Sequence, residues 1–250
     1  IKTRWSMEKY LNKFLKKKKK KILILGGSSD IGIEIIKIYL KNNFSILAQY
    51  NKGNKKFFSL VKDNKNSLKK IKFDFASDNK KIESFFKKKD VLKSDVFINA
   101  LGAIFESNYE SVNLKKLEKS IKINAYPSIY ATIILGKKMA NKNWGRIVNL
   151  GSIGVKFGGG ERNFPYSLSK FILEFFPSYT KKWVKRNVLI NTIRVGVTNT
   201  KLHKKLPKKN LKKRADLIPL KRMAKAEEIA KFIFFIGSDQ NTYISHQVIP

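Results

Sequence analysis

The chain contains no cysteine, and its only histidines are His203 and His246. Without cysteine there can be no disulfide scaffold, no thiolate metal site and no thiol nucleophile. Two histidines so far apart in the sequence do not suggest a zinc site, so no metal ligands are predicted. No apolar run is long enough to span a membrane, and no secretory signal is visible. We therefore expect a cytoplasmic protein that does not bind a membrane.

Acidic residues are also scarce, since 18 Asp and Glu face 54 Lys and Arg and the formal net charge is +36. Such a charge can indicate a nucleic-acid partner, or it can reflect a general drift towards lysine. The basic residues are spread over the whole chain, with clusters at 16–21, 87–89 and 201–214. This spread favours drift, so nucleic acid is not the partner we expect. The charge should still attract anionic substrates and cofactors at low salt.

The chain is long enough for one sizeable core, and hydrophobic residues make up 42% of it, which argues against disorder. We expect residues 1–20 to form a basic N-terminal tail that need not be ordered. The spaced apolar residues of this tail also fit a short amphipathic helix on a membrane surface, which is the less favoured alternative. Residues 21–250 should then form a single domain.

Short apolar segments alternate with helical patterns throughout residues 21–250. The predicted strands are 21–27, 44–50, 71–75, 94–100, 145–152, 187–196 and 246–249. The predicted helices are 31–42, 78–89, 113–142, 166–186 and 225–237. Pro177 should kink the fourth helix or mark an irregular turn. The alternation predicts an α/β fold, a single domain with a Rossmann-type doubly wound parallel sheet, which binds ligands at the carboxyl ends of its strands.

The first predicted strand runs into the glycine-rich stretch GGSSDIG at 26–32. Glycine permits a tight turn and a close approach of the backbone to a ligand, and the helix that starts near Ile31 offers free N–H groups to a diphosphate. Gly26 and Gly32 are the candidates for the turn and for the helix–strand contact. The position of the loop predicts a dinucleotide site, although two such glycines can be purely structural. Asp30 would repel a diphosphate, so we expect it to point aside and cap the helix.

Tyr166 and Lys170 stand four residues apart in YSLSK, within a predicted helix. Residues four apart share a helix face, so they form either an ordinary surface pair or a phenol beside a cation. A free tyrosine has a pKa near 10, and one cation about 4 Å away in a partly screened site lowers that pKa by about three units. Such a phenol exchanges a proton with a carbonyl oxygen near neutral pH. The pair alone does not decide between the two interpretations.

Landmarks further along the chain resemble the short-chain dehydrogenase/reductase family, in particular its 3-oxoacyl-carrier-protein reductases. In the family's order they are GGSSDIG, FDF at 73–75, NALG at 99–102, Asn124 in KINAY, Ser152 in VNLGSIG, YSLSK, INTIRVGVTNT at 190–200 and the C-terminal stretch 222–249. The chain departs from the family pattern at four positions and at its end, where the family's Asp-Gly-Gly tail is missing. The departures are Leu25 for threonine, Asp30 for the middle glycine, Ala100 for the second asparagine and Val195 for proline.

The resemblance implies an NAD(P)-dependent oxidoreductase that interconverts a carbonyl and an alcohol. Tyr166 would be its general acid/base, and Lys170 would assist the tyrosine and bind the nicotinamide ribose. Ser152 would donate to the substrate carbonyl, and Asn124 would hold a water molecule of a proton relay. The implied cofactor-binding positions are Gly26, Ser28, Ser29, Ile31, Gly32, Tyr50, Lys52, Asp74, Phe75, Asn99, Ala100, Gly102, Tyr166, Lys170, Val197 and Thr198.

The end of the second predicted strand bears on the choice of nicotinamide cofactor. An acid at this end would bind both ribose hydroxyls and select NAD, but the sequence has Tyr50, followed by Asn51 and Lys52. No acid repels a 2′-phosphate there, and Lys52 can pair with one. NADP is therefore favoured over NAD, with a merely solvated Lys52 as the alternative.

The resemblance further implies a homo-dimer or homo-tetramer, and a substrate pocket beneath residues 200–220. Because this segment is basic, we expect a small-molecule or carrier-linked carbonyl substrate that carries negative charge. Two rival interpretations keep the fold without the reaction. One is a basic nucleic-acid-binding protein, and the other is an inactive protein that lacks the family's C-terminal tail.

Overall fold

The computed structural model describes residues 19–201 and 208–250 of the chain. Almost all of the predicted N-terminal tail at 1–20 therefore lies outside the described residues, as do His203 and part of the basic segment at 200–220. The described residues form one seven-stranded parallel sheet with strand order β3-β2-β1-β4-β5-β6-β7. The strands are β1 Lys21–Leu25, β2 Ser45–Tyr50, β3 Leu68–Lys72, β4 Val96–Asn99, β5 Gly145–Leu150, β6 Val188–Ile193 and β7 Gln247–Ile249.

Helices cover both faces of this sheet, which confirms the predicted Rossmann-type α/β fold. They are α1 Asp30–Lys41, α2 Lys55–Asp63, α3 Asn79–Lys87, α4 Lys89–Leu92, α5 Leu114–Asn124, α6 Tyr126–Asn141, α7 Phe164–Phe171, α8 Lys208–Asp216 and α9 Ala226–Ile236. Three 3-10 segments complete the description, at Ile153–Phe157, Ile172–Glu174 and Ser178–Arg186. No helix within these described ranges combines the length and the apolarity that crossing a membrane requires.

The strand sequences explain the layered packing. Strands β4, β5 and β6 are buried along their whole length, because a parallel sheet is covered on both faces. Alternate residues of β1 face opposite sides. Ile24 packs into a core that includes Ile35 of α1 and Ile233 of α9. Leu23 packs into a second core that includes Phe85 of α3 and Leu135 of α6.

The position of the crevice follows from the strand order. Strand β1 pairs with β2 on one side and with β4 on the other, so the connections that leave β1 and β4 run to opposite sides of the sheet. Such a reversal opens a crevice at the carboxyl ends of the two strands. The glycine-rich loop follows β1, and the NALG stretch begins with the last residue of β4. Both motifs therefore border the same crevice.

The third predicted strand and the predicted helix at 113–142 differ clearly from the structure in their bounds. The third strand runs over Leu68–Lys72 instead of 71–75, so Asp74 follows the strand. The predicted helix at 113–142 is divided at Ala125 into α5 and α6. Pro127 lies in the first turn of α6, where the missing N–H of proline is tolerated, whereas inside a continuous helix it would remove one hydrogen bond and clash with the preceding turn.

The helix predicted at 166–186 is also interrupted. Helix α7 begins at Phe164 and ends at Phe171, and Phe175 adopts an extended conformation before Pro177. The rest of the stretch, Ser178–Arg186, is 3-10 helix. The irregular turn expected at Pro177 is thereby confirmed, since residues 175–177 belong to no helix, and a proline disfavours the helical region for the residue directly before it, here Phe176.

Helices α2 and α8 are absent from the sequence prediction. Helix α2 is rich in lysine and buries only Phe57, which leaves little apolar periodicity to recognise. Its start is nevertheless defined by Asn54, whose side chain accepts from the Phe57 N–H at 3.1 Å, a typical N-cap. Helix α8 lies in the basic segment that was expected to cover the substrate pocket.

Candidate active site

The loop after β1 has the geometry of a dinucleotide-binding turn. Gly26 has a φ of 74°, and a Cβ there would lie 2.7 Å from the Ala100 carbonyl oxygen. A Cβ on Gly32 would lie 2.3 Å from the Gly26 carbonyl oxygen. Both positions therefore require glycine, one for the turn and one for the contact between loop and helix.

The first turn of α1 is capped by Ser29 and not by Asp30. The Ser29 hydroxyl accepts from the Gly32 N–H at 3.0 Å and donates to the Gly26 carbonyl at 2.8 Å. The expected capping by Asp30 is therefore wrong, since its carboxylate points aside and accepts from the backbone N–H of Lys201 at 2.6 Å. Within the described part of the chain, the backbone N–H groups of Asp30 and Ile31 have no acceptor. These free donors fit a diphosphate.

Gln49, which the sequence analysis missed, supports this loop from below. Its side chain is buried, accepts from the Gly26 N–H at 2.9 Å and donates to the Phe73 carbonyl at 2.6 Å. Gln49 thereby joins the loop to β2 and to the end of β3. The available signal was a single amide side chain within the otherwise apolar strand SILAQY, because a buried amide needs hydrogen-bond partners.

Further hydrogen bonds join the loop to the residues that follow β2. The Ser28 hydroxyl donates to the Lys52 carbonyl at 2.9 Å, and the Asn54 amide donates to the Ser28 carbonyl at 2.7 Å. Tyr50 ends β2 beside them, with its ring 5.3 Å from that of Phe57. The predicted positions Ser28, Tyr50 and Lys52 are therefore brought to the loop, with Lys52 exposed.

Of the neighbouring cofactor-binding positions Asp74 and Phe75, the first lies at the surface and the second in the core. Asp74 is exposed, and one carboxylate oxygen accepts from the Ala76 N–H at 2.9 Å. The Phe75 ring is only 2% exposed and packs against Phe85 and Phe86. The Phe75 side chain therefore belongs to the core, and the backbone of this residue is what can face a ligand.

The remaining cofactor positions border the crevice with their backbones more than with their side chains. Asn99 is buried and accepts from the Leu101 N–H at 3.2 Å. Thr198 is buried as well, and its hydroxyl donates to the Gly196 carbonyl at 2.9 Å. The other three of these cofactor positions lie along the same edge of the sheet. Ala100 and Gly102 follow β4, and Val197 follows β6.

Tyr166, Ser152 and Lys170 meet at the carboxyl ends of β4 and β5. Tyr166 is half-buried on α7, and its phenol lies beside Ser152, which follows β5 and whose hydroxyl lowers the pKa of the phenol. The Lys170 Nζ lies 5.7 Å from the centroid of the Tyr166 ring. It donates to the carbonyls of Leu101 and Leu150, each at 2.7 Å. The three predicted catalytic side chains are therefore assembled at one point.

Burial dominates the acid–base properties of this cluster. It raises the pKa of Tyr166 to about 12, against the hydrogen bond with Ser152, which lowers it. It lowers the pKa of Lys170 to about 7. The lowered phenol pKa expected from the sequence is therefore not present in the structure, because the phenol has lost water and the lysine ammonium is directed at two carbonyls.

Asn124 joins the cluster through the backbone after β4. Its side chain accepts from the Ala103 N–H and donates to the Ala103 carbonyl, both at 2.9 Å, and it also donates to the Ser169 hydroxyl at 2.9 Å. Ser120 lies behind this pair, 3.2 Å from Ser169. With its side chain engaged in this way, Asn124 holds the 101–103 segment beside Lys170. Ser120 and Ser169 are partners that the sequence analysis missed.

No group of three or more His, Asp or Glu side chains in the described ranges is arranged to hold a metal ion. The candidate site is therefore a crevice with backbone donors for a diphosphate at one end and a phenol, a hydroxyl and an ammonium at the other. Chemically, this arrangement can bind an anionic dinucleotide and exchange a proton with a bound oxygen atom.

The chain matches the family model described as Enoyl-(Acyl carrier protein) reductase over residues 27–250. It is 29% identical over 241 residues to the 3-oxoacyl-[acyl-carrier-protein] reductase FabG of Buchnera aphidicola subsp. Schizaphis graminum, covering 94% of this chain and 96% of that protein. It is also 30% identical over 174 residues to the FabG of Aquifex aeolicus, with 69% of each chain covered.

Solved structures share the fold at lower sequence identity. One is the 3-oxoacyl (acyl-carrier-protein) reductase of Agrobacterium tumefaciens C58 with NADP bound, which superimposes with a TM-score of 0.81. The sequences are 16% identical, and the alignment covers 92% of each chain. This likeness confirms the architecture described above.

We expect the buried Lys170 to make folding stability depend on pH. Above about pH 7 the folded lysine has lost its proton, whereas the unfolded one, with a pKa of 10.5, still binds it. The free energy of unfolding relative to a Lys170→Met variant should therefore stay constant below pH 7 and rise above it, by up to about 1.4 kcal/mol per pH unit. Urea unfolding of both proteins at several pH values measures this difference.

The exposed Lys65→Met variant controls for the loss of a lysine side chain. A stability difference between the parent and Lys170→Met that is the same on both sides of pH 7 would contradict the lowered pKa.

Proposed function

Because the chain belongs to the short-chain dehydrogenase/reductase family and is an oxidoreductase that interconverts carbonyl and alcohol groups with a nicotinamide cofactor, we propose that Tyr166 is its proton donor. The observation that carries this proposal is the place of Tyr166 at the carboxyl edge of the sheet, with its phenol beside Ser152 and its ring centroid 5.7 Å from the Lys170 Nζ. The intact cluster also favours the oxidoreductase over an inactive protein or a nucleic-acid-binding protein.

The crevice fits a dinucleotide, since its glycines leave no room for a Cβ and the first N–H groups of α1 lack acceptors. The residues that would hold the cofactor are Gly26, Asp30 and Ile31 by their backbones at the diphosphate end, and Lys170 at the nicotinamide end. A bound reduced nicotinamide supplies a hydride, so the protein must supply the proton and the orientation of the substrate.

The hydroxyl of Ser152 accepts from the Gly154 N–H at 3.2 Å, and its single hydrogen can turn from the Tyr166 oxygen to a substrate carbonyl oxygen. This bond polarises the carbonyl and fixes its orientation. Tyr166 then delivers its proton to the same oxygen as negative charge develops there. With a pKa of about 12, the phenol is protonated at neutral pH, which suits the direction of reduction.

Lys170 assists by stabilising the tyrosinate that remains. An ammonium 5.7 Å from the ring stabilises a phenolate charge by about 3 kcal/mol at an effective dielectric constant of 20. This stabilisation acts on the phenolate once it has formed, and burial still holds the pKa of Tyr166 at about 12. Asn124 contributes indirectly, because it fixes the backbone segment whose Leu101 carbonyl binds Lys170.

We propose a 3-oxoacyl group on an anionic carrier as the substrate class. Support comes from the FabG relatives and from the basic side chains Lys212, Lys213 and Arg214 on α8. Lysines at 115, 116, 119 and 122 add positive charge on α5, which packs against α7. A carrier with acidic side chains or phosphate groups would be attracted by both helices.

The Tyr166→Phe variant should lose at least about a hundredfold in kcat, because general acid catalysis contributes that much or more. The assay follows NADPH consumption with 3-oxoacyl thioesters, free and carrier-linked, and with a set of simple ketones. Tyr109→Phe removes a phenol hydroxyl from an exposed position and should keep the parent rate. Equal rates for the parent and Tyr166→Phe would remove the tyrosine from the mechanism, and a preference for simple ketones over thioesters would remove the proposed substrate class.

We propose NADP as the preferred cofactor. The hydrogen bonds from Ser28 and Asn54 hold Lys52 beside the dinucleotide loop, and neither Tyr50 nor Asn51 is acidic. Lys52→Glu should lower kcat/KM for NADPH at least about tenfold while leaving that for NADH within a few-fold, because only the 2′-phosphate meets the new charge. Lys62→Glu, at the far end of α2, makes the same charge change. Equal losses in the two variants, or a parent that prefers NADH, would overturn the preference.

We also propose a homo-dimer or homo-tetramer formed through α6 and the neighbouring residues 172–180. Apolar side chains are exposed there, with Ile133 at 62% and Phe175 at 76%, and they border an open apolar groove of about 590 Å³. Such a patch marks an interaction surface. Sedimentation should show a dimer or tetramer for the parent and a smaller species for Ile133→Glu. Leu217→Glu, at an exposed position on the segment after α8, is the control. A monomeric parent would exclude this assembly.

A further inference from the structure

Asp30 makes a contact that its place in the dinucleotide loop does not require. Its carboxylate accepts from the backbone N–H of Lys201 at 2.6 Å, across 171 residues of sequence. The helix that Asp30 begins already has its cap in Ser29. The acidic side chain is therefore free of a capping role and serves a different part of the molecule.

Lys201 is the last described residue of the segment 195–201, which follows β6 along the same edge of the sheet as Ser152. The loop is fixed before its start, where Arg194 forms two hydrogen bonds with Glu174 at 2.8 and 2.7 Å. It is fixed in its middle by backbone hydrogen bonds with Ala224, at 2.9 Å from Asn199 and 3.0 Å to Val197. Asp30 supplies an anchor at its end, and this anchor comes from the dinucleotide loop itself.

The charge of Asp30 acts on the same place. Its side chain projects from the first turn of α1, whose free N–H groups at Asp30 and Ile31 are the donors for a diphosphate. A carboxylate and a diphosphate at one helix terminus repel each other, even though each alone is favoured by the helix dipole. The residue that anchors the 195–201 loop is therefore also one that weakens dinucleotide binding.

We propose that Asp30 is a positioning residue that couples the order of the 195–201 loop to dinucleotide binding. Its hydrogen bond holds the loop against the cofactor site, and its charge keeps the affinity for the dinucleotide low enough for release after each turnover. The effect on cofactor binding rests on the proposed function, because it assumes that the protein binds a dinucleotide. The hydrogen bond that anchors the loop is present without a cofactor and does not depend on that function.

Two substitutions separate the hydrogen bond from the charge. Asp30→Asn keeps an oxygen acceptor and removes the charge, whereas Asp30→Ala removes both. Glu34→Gln is the matched control, since it removes a negative charge one turn further along α1, where Glu34 pairs with Lys37 at 2.7 Å. Three measurements follow on all four proteins: hydrogen exchange of the Lys201 amide without cofactor, the Kd of NADPH by fluorescence, and kcat and KM with a 3-oxoacyl thioester.

In the cofactor-free protein, the Lys201 amide should exchange at least about tenfold faster in Asp30→Ala than in the parent, and at nearly the parent rate in Asp30→Asn. NADPH should bind about tenfold more tightly to both Asp30 variants than to the parent and Glu34→Gln. In Asp30→Ala alone, kcat should fall about tenfold or more, because the loop is no longer held in place. Asp30→Asn should retain the parent kcat, or lose kcat only to the extent that slower release of the more tightly bound cofactor limits turnover.

Unchanged exchange of the Lys201 amide in Asp30→Ala would overturn the anchor, and an unchanged Kd in Asp30→Asn would overturn the electrostatic part. Both outcomes are read without turnover. If the parent binds NADPH but reduces no thioester, the proposed substrate class is contradicted. The exchange rate of the Lys201 amide and the Kd of NADPH still test the role of Asp30. Asp30→Asn, which replaces one carboxylate oxygen by an NH2 group, decides the electrostatic part even if Asp30→Ala fails to fold.

Discussion

The Lys170 ammonium holds the reaction centre together. It donates from α7 to the Leu101 carbonyl after β4 and to the Leu150 carbonyl at the end of β5. A buried ammonium is tolerated because these carbonyls replace the water it has lost. In return, the two bonds fix α7 over the carboxyl edge of the sheet, and with it Tyr166, one helical turn earlier. The position of the phenol next to Ser152 follows from this arrangement.

Around that centre, the crevice is shaped by side chains that hydrogen-bond to backbone rather than by packing. Gln49 holds Gly26, Asn124 holds Ala103, and Asp30 holds Lys201. The physical reason is that a ligand crevice cannot be filled with apolar side chains. Its loops must instead be ordered by polar groups that reach them from the adjoining strands and helices. Three irregular segments thereby acquire the fixed geometry that a reaction at a bound cofactor needs.

A clear departure from a regular doubly wound fold follows Lys170, where the helix predicted at 166–186 is interrupted. The irregular backbone between Phe171 and Ser178 ends α7 shortly after Lys170. It also exposes Phe175 beside α6. The Arg194–Glu174 pair, with Glu174 largely buried, ties this irregular stretch to the end of β6. The same interruption thus leaves the proposed catalytic residues in place and borders the apolar groove next to α6.

From the sequence alone, the fold class, the succession of strands along the chain and the candidate site residues could be predicted, because apolar periodicity and the motifs from GGSSDIG to YSLSK are local in sequence. The sequence could not show that Phe75 belongs to the core, that Gln49 supports the glycine loop, or that Asp30 reaches Lys201 instead of capping its helix. Nor could it give the pKa of Tyr166, which burial raises. These features depend on contacts between residues that are distant in sequence and on the exclusion of water from the site. Both arise only when the strands and helices have assembled.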